Sequence, residues 1–342
     1  MTFNLPRNST LYKQTVETFR SSSTSIFAWK GVFDGYGTNL QNVTKDLRGI
    51  YYAEDGYELC QVDQSGAEAL IVSYLCKPGN YRDLFLCGVK PHVFVALHVF
   101  ADKWRKLCQA IDIDPFLVAT IGKLKSIPGW KDLDTIIKSS DNWKPSERYY
   151  YIAKMICHAS NYGMKAGAFQ LNVLQKSEGK IVLTKQQAEQ YLEHYHSLFP
   201  EIREWHQVVR TQLDQSGMLY NLFGYPRIAT QAITETNIKE WYAFVPQSTV
   251  GVITHRALTE FQNWIDDNKK AWFLLGNCHD SYLAEAPVDE IRECATVMKR
   301  IMEVPLIGAR GEKFNMRAEA QVGRNWMPAK ENNPFGLREI TL

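Results

Sequence analysis

Three short stretches carry residues whose types and spacing could do chemistry. Asp63 opens DQSGAE (63–68) at the end of an apolar run, and Asp280 sits inside His279-Asp280-Ser281, between FLLGNC and YLAEAP. Two acids at two strand ends suit a pair of divalent cations about 3.5–4 Å apart, the arrangement that supports in-line phosphoryl transfer. One ion would activate the attacking oxygen and the other would steady the leaving oxygen. Such chemistry also needs cations for a polyphosphate, because its catalysis is largely positioning and charge stabilisation. ERYYYIAKMICHASNYGMKAG (147–167) offers them: Lys154, His158 and Tyr162 recur every fourth residue and share one slowly drifting helix face.

Each stretch also has a plain reading. Asp in a turn bonds its own backbone, and Ser65 and Glu68 have the Ser-x-x-Glu spacing of a capping box just before an apolar-periodic run. His194 and His196 in HYH, with His206, could form a metal site, but a solvated polar helix face accounts for them more simply. Lys103, Arg105 and Lys106 fit either DNA backbone contacts or a solvated face, and the Trp residues, Trp326 included, read as core.

The elements that must hold these residues follow from periodicity. YELCQVD (57–63) reads as a strand, and Ala67, Leu70, Ile71, Tyr74 and Leu75 form one stripe of a following helix. A short helix over 9–19, a loop over 20–25 and a turn-rich stretch over 33–42 precede them. Residues 91–215 are mostly helical, punctuated at SIPGW (126–130), NWKPS (142–146) and KSEGK (176–180). A helix over 238–264, a hairpin across 273–286, a helix over 288–303 and a strand around 313–322 complete the order. The tail from 327 reads as extended. The pattern predicts an α+β fold interrupted by a helical insertion.

Composition sets wide bounds. With 342 residues, 45% hydrophobic and 22% charged, the chain is ordinary globular protein, and a net charge of +2 neither demands nor excludes nucleic acid. Seven cysteines without a CxxC pair argue against a disulfide framework or a zinc knuckle. No basic-then-apolar leader and no 18-residue apolar run is present, so a soluble protein of the cytoplasm, with no membrane partner, is expected.

The ordered series Asp-x-Ser-x-x-Glu (63–68), Lys-x7-Tyr-Gly (154–163) and His-Asp (279–280) resembles motifs A, B and C of family A DNA polymerases, the bacterial DNA polymerase I type with its phage members. TNLQN (38–42), GVKPHVFVALHVF (88–100), YLEHYHSLFPEIREW, LFGYPR, PQST and the stretch from VPLIGARGEKF to GRNW also fall in family order, over about residues 36–326. The resemblance implies an antiparallel palm sheet with flanking helices and a large helical fingers insertion. Its segments would be an N-terminal segment 1–30, palm 31–90, fingers 91–220, palm 221–326 and a C-terminal tail 327–342.

Carried onto this sequence, the resemblance implies that Asp63, Asp280 and the main-chain carbonyl of Gln64 bind two Mg²⁺ ions, for which Mn²⁺ can substitute. It also implies that Lys154 binds the dNTP triphosphate, that Glu68 excludes a 2′-hydroxyl, and that Tyr162 packs near the templating base. Gln41, Asn42, Gln247 and His279 would approach primer-template DNA. The chain departs from the family at several positions. Tyr150 replaces the Arg four residues before Lys154, while Arg148, six before it, lies about 120° away on an ideal helix. His158 stands where an aromatic residue usually packs under the ribose, Ser281 replaces a Glu, Leu70 replaces an Arg, and Lys90 replaces an Asp.

Three activities stay open at this point: a DNA polymerase, a single-subunit RNA polymerase, against which Glu68 speaks, and a catalytically impaired relative that binds DNA or scaffolds a replisome. Because few residues precede Asn39, a split polymerase is expected, with a separate subunit supplying the thumb and an exonuclease. That subunit would dock on 1–30 or on the tail through Phe335, Leu337 and Ile340. A phage origin in a bacterial host fits the departures.

Overall fold

The computed structural model describes residues 45–111 and 121–342. The turn-rich stretch at 33–42, the short helix at 9–19, and Gln41 and Asn42 lie outside them. The chain divides into two compact units, one formed by residues 45–68, 220–227 and 244–342, the other by 69–219 and 228–243. It passes between them within helices α1 (Ala67–Leu75) and α10 (Ile238–Asn268), and near strands β2 (Met218–Tyr220) and β3 (Pro226–Ile228).

The first unit is built on a six-stranded sheet. Its strands are β1 (Tyr57–Gln64), β4 (Phe273–Cys278), β5 (Ser281–Pro287), β8 (Ala318–Gly323), β9 (Asn325–Pro328) and β10 (Gly336–Glu339), in the order β4-β5-β1-β8-β10-β9. All neighbours are antiparallel except β10 and β9, which run parallel. In β1 the inner residues Leu59, Cys60, Val62 and Gln64 are buried. Helix α11 (Ile291–Met302) lays its stripe of Cys294, Ala295, Met298 and Ile301 against β1 and β8, and Tyr282 of β5 donates its hydroxyl to the Met298 carbonyl at 2.7 Å. The strand expected around 313–322 is two strands: β7 (Lys313–Asn315), paired with β6 (Pro305–Ile307), and β8.

The tail is not a loose extension. β9 and β10 complete the sheet, and Leu337 joins Ala53, Leu59, Cys278 and Trp326 in a buried cluster, leaving Phe335 exposed. Leu337 is therefore core and cannot anchor a partner, a correction to its expected role. Trp326 is core as expected, with its indole donating to Gln61 Oε1 at 2.7 Å.

The second unit is helical: α2 (Asn80–Leu86), α3 (Pro91–Val99), α4 (Ala101–Ala110), α5 (Trp130–Ser139), α6 (Tyr149–Asn161), α7 (Ala166–Lys176), α8 (Lys185–Leu198) and α9 (Pro200–Ser216). The breaks fall at the expected punctuation. α8 opens with a complete capping box between Thr184 and Gln187, α9 opens on Pro200, and Gly217 with φ of 65° closes it. Asn161 ties the end of α6 to its neighbours: it donates to Tyr81 Oη at 2.9 Å, accepts from Tyr195 Oη at 2.6 Å, and its carbonyl meets His206 Nε2 at 2.8 Å. Gly163 follows at φ 65°, where a Cβ would stand 2.9 Å from the Tyr242 ring. The end of α6 is thus fixed by polar bonds and close packing together.

The histidines near this knot are neither a metal site nor a solvated face. His206 is buried and stacks on Tyr242 at 4.0 Å, and burial pulls the His206 and His196 imidazoles down to about 4.

Candidate active site

In the first unit, pairing on both sides of β1 gathers the acids. Asp63 is opposite Ser281 of β5, one residue past Asp280, and opposite Glu319 of β8. His279 and Asp280 are the two central residues of a tight hairpin turn, with His279 at φ 58°, and the Asp280 carbonyl accepts the Gln64 amide at 3.1 Å. The Asp63 carboxyl is pushed up to about 8, first by burial, then by the charges of Asp280 and Glu319, with Arg48 opposing. Arg48 donates to Cys278 Sγ at 3.3 Å and lies over the Trp326 ring at 4.7 Å.

Gln64 turns its side chain away, donating to Thr254 Oγ1 of α10 at 2.8 Å and to the Val250 carbonyl at 3.3 Å. The strand end is thereby held while the side chain takes no part in the acidic cluster. Ser65 donates its hydroxyl to Glu319 Oε1 at 2.7 Å. α1 begins at Ala67, directly after Gly66 at φ 60°, so Glu68 is its second residue, and the Ser65 amide donates to the Arg317 carbonyl at 2.8 Å. Gln247 is half-buried on α10.

Glu319 and Arg48 are residues that sequence reasoning passed over. Arg48 belongs to no recognisable motif, and Glu319 lies within the stretch 304–326 without a role of its own there; both reach Asp63 only through sheet pairing and packing. Ser281 is buried and bonded to Gln61 and the Cys278 carbonyl, so the second carboxylate charge beside Asp63 comes from the opposite neighbouring strand.

In the second unit, the only exposed side of α6 runs through Tyr151, Lys154 and His158, while Ile152, Ala153, Met155, Ile156 and Cys157 are buried. Tyr162 is buried just past the helix end, with its ring edge-on to His158 at 5.1 Å. Lys154 Nζ donates to Asp141 Oδ2 at 3.0 Å and lies 4.4 Å from the Tyr150 ring centre. Arg148 precedes the helix, so the 120° displacement reckoned on an ideal helix does not apply. Its Nε donates to the Asp141 carbonyl at 2.7 Å, and a terminal nitrogen stands 3.7 Å from the same carboxylate that takes Lys154. The two cations therefore converge on one anion. His92 of α3, edge-on to Tyr150, is drawn down to about 4, first by burial and then by Lys154.

A divalent cation fits the acidic cluster on the chemistry of its donors. Mg²⁺ takes oxygen ligands, commonly one or two carboxylates completed by water and substrate phosphates. Among the described residues no group of three His, Cys, Asp or Glu side chains forms a complete cage. Asp63 and Asp280 instead form an incomplete set whose mutual repulsion a cation would relieve.

Known proteins point the same way. The model of DNA polymerase family A matches residues 135–328. The thermostable DNA polymerase I of Thermus filiformis is 23% identical over 306 residues, which cover 86% of this chain and 30% of that protein. DNA polymerase I of Pseudomonas aeruginosa is also 23% identical, over 300 residues covering 84% and 27%. The chain thus spans under a third of the length of these relatives. Among solved structures, the polymerase domain of Pol1 from M. smegmatis, in complex with DNA primer-template and dNTP, has a TM-score of 0.62 at 18% identity, covering 85% of this chain and 45% of its own. With more than half of its residues inside the family match, and with a fold shared with a polymerase domain, the chain belongs to DNA polymerase family A.

Proposed function

We propose that the chain is a template-directed DNA polymerase, adding dNTPs to a primer 3′-hydroxyl with release of pyrophosphate. The observation that carries this reading is the half-buried, mutually repelling pair Asp63, near the end of β1, and Asp280, in the turn leading into the neighbouring β5. Asp63, Asp280 and the Gln64 carbonyl would hold two Mg²⁺ ions, with Mn²⁺ a substitute; when bound, these supply charge stabilisation at the reacting phosphate. Arg48 and Ser65 orient the cluster around them. Lys154 and Arg148 bind the triphosphate, with Tyr150 beneath the Lys154 ammonium where the family has an Arg.

In the same reading His158 lies under the sugar, Glu68 blocks a 2′-hydroxyl, and Tyr162 borders the nascent pair. Gln247, His279, Gln41 and Asn42 contact the primer-template. The sheet unit acts as palm and the helical unit as fingers. A separate thumb-bearing subunit belongs to the proposal, with exposed Phe335 of the tail as one anchor. Among the described residues no helix is long and apolar enough to cross a membrane, which suits work on DNA in the cytoplasm.

The test is primer extension by purified chain with dNTPs or rNTPs, with and without Mg²⁺. Mg²⁺-dependent extension with dNTPs, lost in Asp63→Ala and Asp280→Ala while DNA binding survives, is expected. Preferred use of rNTPs would indicate an RNA polymerase, and DNA binding without extension would indicate a non-catalytic relative.

A further inference from the structure

The pairing around Asp141 has no counterpart among the motifs that led to the triphosphate assignment. Asp141 lies in the short helical turn Ser140–Asn142, and its position is built rather than incidental. The turn is braced by Ser140, which is fully buried and whose hydroxyl accepts the Tyr150 amide at 3.0 Å. Arg148 Nε bonds the Asp141 carbonyl from the other side. The carboxylate is thereby held against the one open face of α6. Its Oδ2 takes Lys154 at 3.0 Å, whereas Oδ1 is buried without a hydrogen-bond partner and has only the Arg148 charge at 3.7 Å.

Two features mark this contact as exchangeable. A buried carboxylate oxygen without a donor is an imperfectly satisfied group, and the pair is partly solvated, with 39% of the Lys154 side chain and 28% of that of Asp141 exposed. A polyphosphate carries more charge and more acceptor oxygens than one carboxylate, and it can satisfy both cations at once. We propose that Asp141 is a built-in stand-in for the triphosphate: it holds Lys154 and Arg148 together until a polyphosphate arrives and then yields them to it, setting nucleotide affinity by competition. Asp141 is thus a positioning residue, acting through the two cations. The proposal rests on the polymerase reading only for the natural ligand, since the competition itself concerns any polyphosphate.

Inorganic tripolyphosphate, titrated calorimetrically into the full chain, tests it. Asp141→Asn, which keeps size and removes charge, should bind tripolyphosphate roughly five- to tenfold more tightly than the native protein, as expected for the loss of a partly screened ion-pair competitor. Asp141→Ser should do the same, Asp141→Glu should stay close to native, and Asp141→Asn with Lys154→Gln should lose the gain. In primer extension, Asp141→Asn should lower the KM for dNTP by a similar factor while leaving kcat within about twofold. Unchanged or weaker tripolyphosphate binding by folded Asp141→Asn or Asp141→Ser overturns the proposal. So does loss of folding in both variants, which would make the carboxylate structural. A gain in tripolyphosphate affinity without any primer extension by the native chain would leave Asp141 in its role and remove the polymerase reading.

Discussion

Replacing Asp63 by Asn should abolish extension and, at the same time, make the sheet unit more stable. The Asp63 carboxyl is raised from 3.8 to about 8, chiefly by burial and then by Asp280 and Glu319. Between those two pH values the folded state holds a proton that the unfolded chain releases, so stability falls as pH rises. At roughly 1.4 kcal/mol per pH unit, the loss by pH 8 is about 5 kcal/mol. Asn carries no such cost. In metal-free buffer at pH 8, Asp63→Asn should therefore melt on the order of 10 °C above the native protein, and the difference should shrink to near zero at pH 4, below which both forms are uncharged. Mg²⁺ should raise the melting temperature of the native protein at pH 8 and leave that of the variant where it is. Differential scanning calorimetry across pH 4–8 reads all of this. A variant that melts at or below the native protein at pH 8 would refute the account of Asp63 as an acid whose charge is disfavoured by desolvation and its acidic neighbours.

Other expectations concern separate parts of the molecule. Glu68→Ala should increase ribonucleotide incorporation; unchanged sugar discrimination would remove Glu68 from the nucleotide site. Lys154→Gln should lower kcat/KM for dNTP roughly 100-fold, a loss typical of a charge-stabilising group, while band-shift assays show DNA binding intact. His206, drawn from 6.5 to about 4 by burial, contributes stability that is present above pH 6.5 and lost as pH falls to 4. His206 alone should account for a loss of about 3 kcal/mol over that window, beside the losses from His92 and His196, and His206→Phe should make the profile measured by urea unfolding less steep. Leu337→Ala should cost ~2–4 kcal/mol and exposed Phe335→Ala under about 0.5, a contrast that denaturant melts would expose.

The parts legible in the sequence were those with local periodicity. β1 with Asp63 next to its end, the hairpin around Asp280, and α6 with its four-residue spacing of Lys154 and His158 each carry their pattern within about a dozen residues. The tail is extended as expected, but four-residue strands such as β10 are too short to alternate visibly, so the burial of Leu337 by partners distant in sequence leaves no local pattern. Glu319 reaches Asp63 only through strand pairing, and Arg48 through packing on Trp326. Arg148 lies before the helix begins, so ideal-helix angles do not describe where it points. Asp141 was invisible because a short turn folds it back across 13 residues onto Lys154.

The turn that carries His279 has a consequence for anyone who selects for hardier forms of this protein. A left-handed backbone at a residue with a side chain costs about 1 kcal/mol relative to glycine, and His279 adopts that conformation at φ 58° beside an acid that destabilises the sheet. Random libraries screened by heat alone should therefore enrich His279→Gly and Asp63→Asn early, drifting towards robust molecules in which the acidic cluster has been dismantled. If the proposed roles of these two residues hold, activity has to be screened alongside heat from the first round, because durability and competence would then pull the sequence in opposite directions.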